Sequence, residues 1–269
     1  MTNYRLLACA ALCLITLLTG CLGGSRITRS SARERLDDLQ HRAQLSFDQG
    51  LHDDARLLLQ EALQLADSLD DRPGQVSVLV QQARLARKLG DLPQARRLAA
   101  QAMTVAAGGR DVADVDQERS LQELAAGQLD KAVVWAERAR QDERDGQMGR
   151  RLNLLARLAL LQGREEDAAR LAGQALEQSA TAKLASERAN ALRVLGIING
   201  RRHRFAEGRR FLTEALVLDR SLELPVRIAA DLDALADLAG LAGDPGAREQ
   251  FRARAATVRA AMAGAASPP

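Results

Sequence analysis

Pairs of asparagine and arginine are the residues of this chain whose types and spacing best suit binding chemistry. Asn153 and Arg157 are four residues apart, and Asn190 and Arg193 are three apart. In a helix, each pair would lie on one face. A guanidinium donates a fork of hydrogen bonds to a carboxylate, and an asparagine amide satisfies main-chain groups. The pairs therefore suit a carboxylate or a peptide backbone, and the alternative is a solvated helix face.

The sequence contains no pattern that is typical of catalysis or metal binding. His41, His52 and His203 lie far apart and lack the spacing of metal ligands on a helix. No glycine-rich loop precedes Lys-Ser/Thr, and no serine lies in a nucleophile elbow. Acidic pairs such as Glu165-Glu166 open predicted helices, where they complement the helix dipole. We therefore expect no enzyme activity, no catalytic residue, no metal, no cofactor and no small-molecule substrate.

The first 20 residues have the layout of a signal peptide. Arg5 precedes a nearly unbroken apolar run over residues 6–18, which is shorter than the roughly 20 residues of a membrane-spanning helix. The run ends in Leu18-Thr19-Gly20-Cys21, which resembles the bacterial lipobox. This resemblance implies cleavage before Cys21, acylation of Cys21 with palmitate-type chains and, because Leu22 follows, an outer-membrane address facing the periplasm. The alternative is an ordinary secretory signal that contains a cysteine.

Charge and cysteine content narrow the classes of partner. Lysine and arginine number 38 against 35 acidic residues, a formal net charge of +3, and loss of the signal peptide removes one arginine. A balance this close to neutral does not support a nucleic-acid partner. Cys9 and Cys13 leave with the signal, so Cys21 remains alone and no internal disulfide forms. Residues 21–35 are predicted to form a flexible tether behind the lipidated cysteine.

A repeat of 36 to 40 residues covers the remainder of the chain. Residues at equivalent positions recur with spacings of 40, 37, 36, 40 and 40. The series are Ala43, Ala83, Ser120, Ala156, Gly196 and Ala236; Gly50, Gly90, Gly127, Gly163, His203 and Gly243; Ala62, Ala102, Ala139, Ala175, Ala215 and Ala255; and, for five repeats, Ala55, Ala95, Ala132, Ala168 and Gly208. The pattern predicts six helical hairpins that turn at the second series, with small residues where paired helices approach closely.

Two segments carry a resemblance to a known family. They are Leu89-Gly90-Asp91-Leu92-Pro93-Gln94-Ala95, and Leu192 with Leu195-Gly196 followed by Phe205 and Ala215. They resemble the tetratricopeptide repeat (TPR) superfamily, although the period exceeds 34 residues and leucine or alanine occupies most of the usual aromatic positions. The resemblance implies an all-α fold, a right-handed α-solenoid of about six hairpins over residues 36–262. A disordered tail over residues 263–269 is expected to follow.

The same resemblance implies a concave groove lined by the first helix of each hairpin. Carried onto this chain, the groove is basic in its middle and acidic at its ends. Its predicted partner-binding residues are Arg84, Arg87, Arg150, Asn153, Arg157, Asn190, Arg193 and Arg201. The implied function is a membrane-anchored scaffold that faces the periplasm, binds a protein or peptide and supports assembly of an envelope complex. The alternative is a binding module for an anionic cell-wall or envelope glycan.

Overall fold

A computed structural model describes residues 31–265, except residues 107, 108, 110, 145 and 180–183. The signal peptide, Cys21 and most of the predicted tether lie outside this range. The chain divides into two units, Met1–Arg35 and Leu36–Pro269. The helices belong to the second unit, except that the first helix begins at Ser31.

The described residues form twelve helices and no strand, which confirms the all-α prediction. The helices are α1 Ser31–Gln49, α2 His52–Ser68, α3 Arg72–Lys88, α4 Leu92–Ala106, α5 Val112–Ala125, α6 Leu129–Gln141, α7 Met148–Leu161, α8 Glu165–Gln178, α9 Ala185–Arg201, α10 Phe205–Ser221, α11 Pro225–Leu241 and α12 Pro245–Ala265. None of them is both long and apolar enough to cross a bilayer.

Consecutive helices pair into six hairpins, and each hairpin turns at the position that the repeat predicts. Gly50, Gly90, Gly127, Gly163, His203 and Gly243 all have positive φ, between +58° and +85°. A left-handed residue ends a helix and lets the chain reverse, and glycine adopts this conformation without steric cost. Each hairpin also packs on the next, as where Val78 and Leu85 of α3 join the core of the first hairpin.

The small residues pack where the two helices of a hairpin cross. Ser120 of α5 donates a hydrogen bond of 2.7 Å from its Oγ to the carbonyl oxygen of Ala132 in α6. In the fifth hairpin, a Cβ on Gly208 would lie 3.0 Å from the carbonyl oxygen of Gly196. Side chains larger than alanine would hold these backbones apart, which confirms the mechanical role predicted for the series.

The helix boundaries differ from the predicted domain limits at both ends. Helix α1 begins at Ser31, so residues 31–35 of the predicted tether are helical. Helix α12 continues to Ala265, so residues 263–265 of the predicted tail are helical as well. The repeat register predicts that the first helices of the later hairpins start near residues 76, 113, 149, 189 and 229, and each of them begins one to four residues earlier. Asp71 at the start of α3 shows one reason, because its carboxylate accepts a hydrogen bond from the Gly74 amide and caps the helix.

Candidate functional site

A pocket of about 470 Å³ lies between α7, α9 and α11, the first helices of the last three hairpins. Its apolar and small lining residues are Leu160, Leu161, Ile197, Gly200, Ala230, Ala234, Leu238 and Leu241. Its charged lining residues are Arg157, Arg193, Arg201, Asp233 and Asp237. The pocket therefore combines an apolar wall with charges of both signs.

Each helix contributes one stripe of residues to this pocket. Leu160 and Leu161 follow Arg157 by three and four residues on α7, and the lining residues of α9 and α11 have a similar helical spacing. Three of the predicted partner-binding residues, Arg157, Arg193 and Arg201, line it. Three other predicted residues of these helices, Arg150, Asn153 and Asn190, do not line the pocket.

Arg193 is held by acidic residues of the same chain. Its Nε donates a hydrogen bond of 2.6 Å to Asp231 of α11, and its Nη2 donates another to Asp219 of α10. Both carboxylates are fully buried. Burial, together with the neighbouring Asp231 carboxylate, outweighs the Arg193 guanidinium and raises the pKa of Asp219 to about 6. The charge of Arg193 is therefore largely compensated inside the protein.

The two predicted asparagines also contact a carboxylate of the chain itself. Asn153 Nδ2 donates to Glu187 Oε2 at 3.0 Å and to the Glu187 carbonyl oxygen at 2.8 Å. Asn190 Nδ2 donates to Glu187 Oε2 at 3.3 Å. The chemistry predicted for these residues is thus present, but the carboxylate belongs to helix α9 and not to a partner.

Four further predicted arginines contact neighbouring first or second helices. Arg87 makes a forked pair with Glu118, at 2.7 and 3.1 Å. The others pair singly, Arg84 with Gln44 at 2.9 Å, Arg150 with Asp114 at 3.5 Å and Arg201 with Glu165 at 3.4 Å. Burial and the nearby Arg150 lower the pKa of Arg84 to about 10, which leaves it charged at neutral pH.

Arg151 is a polar residue that the sequence analysis did not single out. Its side chain is fully buried and donates to Asp114 at 2.7 Å, Glu143 at 2.9 Å and Gln117 at 2.6 Å. Burial alone would raise the pKa of Asp114, but the guanidiniums of Arg150 and Arg151 lower it. Arg151 therefore joins the third and fourth hairpins and has a structural role.

The repeat spacing indicates which charged residues of neighbouring hairpins form ion pairs. The partners are separated by about one repeat length, 36 residues for Arg150 and Asp114, and 38 for Arg193 and Asp231. Residues one period apart lie side by side on adjacent hairpins. Aligning charged positions between consecutive repeats would therefore have paired them.

Arg157 differs from the other predicted residues because its side chain has no hydrogen bond or ion pair with any part of the chain that the structure describes. The residue is exposed. The groove walls nevertheless remove part of the water around its guanidinium, and this desolvation, together with the positive charges of Arg87 and Arg193, lowers the pKa of Arg157. Asp237, on the α11 wall, is also exposed and also lacks a side-chain partner among the described residues. These two charges remain open to a ligand.

No cluster of three or more histidine, cysteine, aspartate or glutamate side chains suited to a metal ion occurs in the described ranges. Trp135 is half-buried on α6. The Arg119 guanidinium lies 4.8 Å from its ring centroid and that of Arg138 lies 5.5 Å away, a cation–π arrangement away from the pocket.

Comparison with known proteins gives one family match and several similar folds. Residues 37–107 match the tetratricopeptide repeat family. No curated protein matches the chain.

Solved structures that match do so at low sequence identity. BtubC (BKLC) from P. vanneervenii has a TM-score of 0.57 and 22% identity, over 87% of this chain and 94% of that one. The Rap conjugation gene regulator of the plasmid pLS20, in complex with the Phr* peptide, has a TM-score of 0.70 and 13% identity, over 86% and 64%. PilW, a type IV pilus biogenesis factor, has a TM-score of 0.55 and 13% identity, over 81% and 91%.

At these identities, the matches describe the fold. The family match covers two hairpins, and the remaining four share their register, turn positions and small-residue packing. Residues 37–107 therefore match the tetratricopeptide repeat family, and the described residues as a whole form a solenoid of the same helical-hairpin fold.

Proposed function

We propose that this protein is a scaffold that binds a protein or peptide segment in the pocket between α7, α9 and α11. The observation that carries the proposal is the pocket's combination of open charges with exposed apolar side chains. Leu161 is 55% exposed and Leu241 is 53% exposed at its rim. Large apolar side chains left open beside unpaired charges are typical of interaction sites. The pLS20 regulator bound to its Phr* peptide provides a precedent for a peptide on this fold.

The apolar wall favours a polypeptide over an anionic glycan. A glycan site would need several uncompensated cations, and most of the predicted basic groove is paired within the chain: Arg87 with Glu118, and Arg193 with Asp219 and Asp231. Leucine and isoleucine side chains gain free energy by burying apolar partner groups, which a charged glycan does not supply. We propose no catalytic role for the protein.

Acylation of Cys21 would hold the solenoid at a membrane. The proposal rests on the lipobox-like Leu18-Thr19-Gly20-Cys21 behind an apolar run. More than one acyl chain gives stable anchoring, because each buried methylene contributes about 0.8 kcal/mol. Together with the groove, the anchor suits an adaptor that faces the periplasm at the outer membrane and supports assembly of an envelope complex.

A photocrosslinking amino acid at Leu161 tests the binding site in the cell envelope. A matched control has the same amino acid at Val134, which is 66% exposed on α6 and does not line the pocket. We expect one discrete protein adduct from position 161 and none from position 134. Adducts from position 134 alone would place the interaction on another face.

A charge reversal at one position, Arg157→Glu, tests whether this guanidinium contributes to partner binding. Changing Arg193 to glutamate as well would place a third carboxylate beside the buried Asp219 and Asp231, and the variant would lose stability for reasons unrelated to binding. Arg252→Glu, on the exposed part of α12, is the matched control. We expect Arg157→Glu to lose the Leu161 adduct with unchanged helical content, and Arg252→Glu to keep it. An adduct of undiminished yield with Arg157→Glu would exclude this guanidinium from the site.

A further inference from the structure

The open charges of the pocket have opposite signs and lie on different helices. Arg157 belongs to α7 and Asp237 belongs to α11, and each of these helices contacts α9 between them. The guanidinium and the carboxylate are therefore on opposite walls, with α9 as the floor.

The remaining charged residues of the lining already have partners. Arg193 is bound by Asp219 and Asp231, Asp233 accepts a hydrogen bond from Arg259 of α12, and Arg201 contacts Glu165. A ligand would gain little from these groups, because it would have to displace a carboxylate or guanidinium that is already in place. Within the part of the chain that the structure describes, the pocket thus presents one available positive group and one available negative group.

Between these two charges the lining is apolar. Ile197 of α9 lies on the floor, and Leu161 and Leu241 extend the apolar surface at the rim. Gly200 has no side chain, so Leu238 of α11 packs directly against the α9 backbone. A Cβ at Gly200 would lie 2.6 Å from Leu238 Cδ1. A ligand that spans the pocket therefore meets a positive group, an apolar surface and a negative group in that order.

We propose that the pocket selects a peptide segment that carries an acidic side chain for Arg157, a basic side chain for Asp237 and a bulky apolar side chain between them. This inference rests on the proposed function and specifies the partner of the same site. The charge complementarity is what selects this occupant. A uniformly acidic or uniformly basic segment would place one of its charges against a like charge.

The helix spacing limits the distance between the two charges of the ligand. Neighbouring packed helices have axes about 8–10 Å apart, so α7 and α11 lie on the order of 16–20 Å apart across α9. An extended chain advances about 3.3 Å per residue. The acidic and basic residues of the ligand are therefore expected about five to six residues apart.

The test is a selection of random dodecapeptides, displayed on phage, against the full chain in detergent. We expect the wild-type protein to enrich peptides with one acidic and one basic residue at a constant spacing around an apolar residue. Arg157→Glu should enrich peptides with two basic residues, and Asp237→Lys should enrich peptides with two acidic residues. A peptide selected on the wild type should bind Arg157→Glu about tenfold more weakly or worse, and should bind Arg252→Glu unchanged.

The outcomes separate this inference from the proposed function. If peptides are enriched without a charge pattern, or bind Arg157→Glu with wild-type affinity, the inference is wrong while peptide binding stands. If no peptide is enriched but Leu161 forms a protein adduct in the envelope, the pocket binds a folded surface and the inference is again wrong. If neither occurs, the proposed function fails as well.

Discussion

The Nε of Arg193 lies 2.6 Å from Asp231 Oδ1, and the same guanidinium also binds Asp219, so one side chain of α9 joins α10 and α11. The two carboxylates are completely buried, whereas the arginine side chain is 16% exposed at the pocket wall. This cluster links the groove surface to the interface between the fifth and sixth hairpins. Its ionisation should therefore affect the stability of that interface.

The first prediction concerns pH. The pKa of Asp219 is about 6 in the folded protein, because of burial and the Asp231 carboxylate, and about 4 in an unfolded chain. The folded state therefore binds the proton more tightly. The stabilisation from this group is complete below pH 4 and is lost as the pH rises through 6. We expect the free energy of unfolding, measured with urea, to fall between pH 5 and pH 7.

Two variants separate this effect from other titrating groups. Asp219→Asn should remove part of the fall in stability between pH 5 and pH 7, since the amide does not titrate. Asp237→Asn, an exposed acid outside the cluster, should keep the wild-type dependence. Parallel pH profiles for Asp219→Asn and the wild type would contradict the assignment.

The second prediction compares two adjacent arginines. Arg151→Met removes a fully buried guanidinium that binds both Glu143 and Asp114, and should cost about 3–5 kcal/mol of unfolding free energy. Arg150→Met removes a longer contact of 3.5 Å between partly exposed side chains and should cost less than about 1 kcal/mol. Urea unfolding at pH 7 measures both. Equal losses would show that Arg151 is not the structural residue of the pair.

The third prediction concerns helix contact in the fifth hairpin. A Cβ at Gly196 would lie 2.6 Å from Leu212 Cγ, so Gly196→Ala should destabilise the protein by about 1–3 kcal/mol. Gly173 also lies inside a helix, but nothing lies within 4 Å of a Cβ at that position. Gly173→Ala should therefore stabilise the protein by up to about 1 kcal/mol through helix propensity. Thermal unfolding of the two variants tests the opposite signs.

The fourth prediction concerns the anchor. Cys21→Ser should move the protein from the membrane fraction to the soluble fraction, because serine does not accept the acyl chains. Cys13→Ser, which changes a cysteine of the predicted signal peptide, should leave the fractionation unchanged. A wild-type membrane fraction for Cys21→Ser would refute the lipoprotein interpretation.

The sequence by itself determined the fold class, the number of hairpins and the residues at which they turn. Those features are local and periodic: glycine at positive φ, alanine at helix crossings and leucine at helical spacing recur in register along the chain. Of the predicted partner-binding residues on α7 and α9, Arg157, Arg193 and Arg201 line the pocket, whereas Arg150, Asn153 and Asn190 do not.

The tertiary structure decided which groove charges remain available. Arg157 and Arg193 belong to the same predicted basic groove, and the residues of their own helices do not show which of the two guanidiniums is paired. The difference arises because Asp219 and Asp231 reach Arg193 from other helices, whereas no side chain in the described ranges reaches Arg157. Electrostatic pairing depends on distances between helices, whether the partners are 26 residues apart, as for Arg193 and Asp219, or about one repeat apart, as for Arg193 and Asp231, so helix packing decides which charges are available.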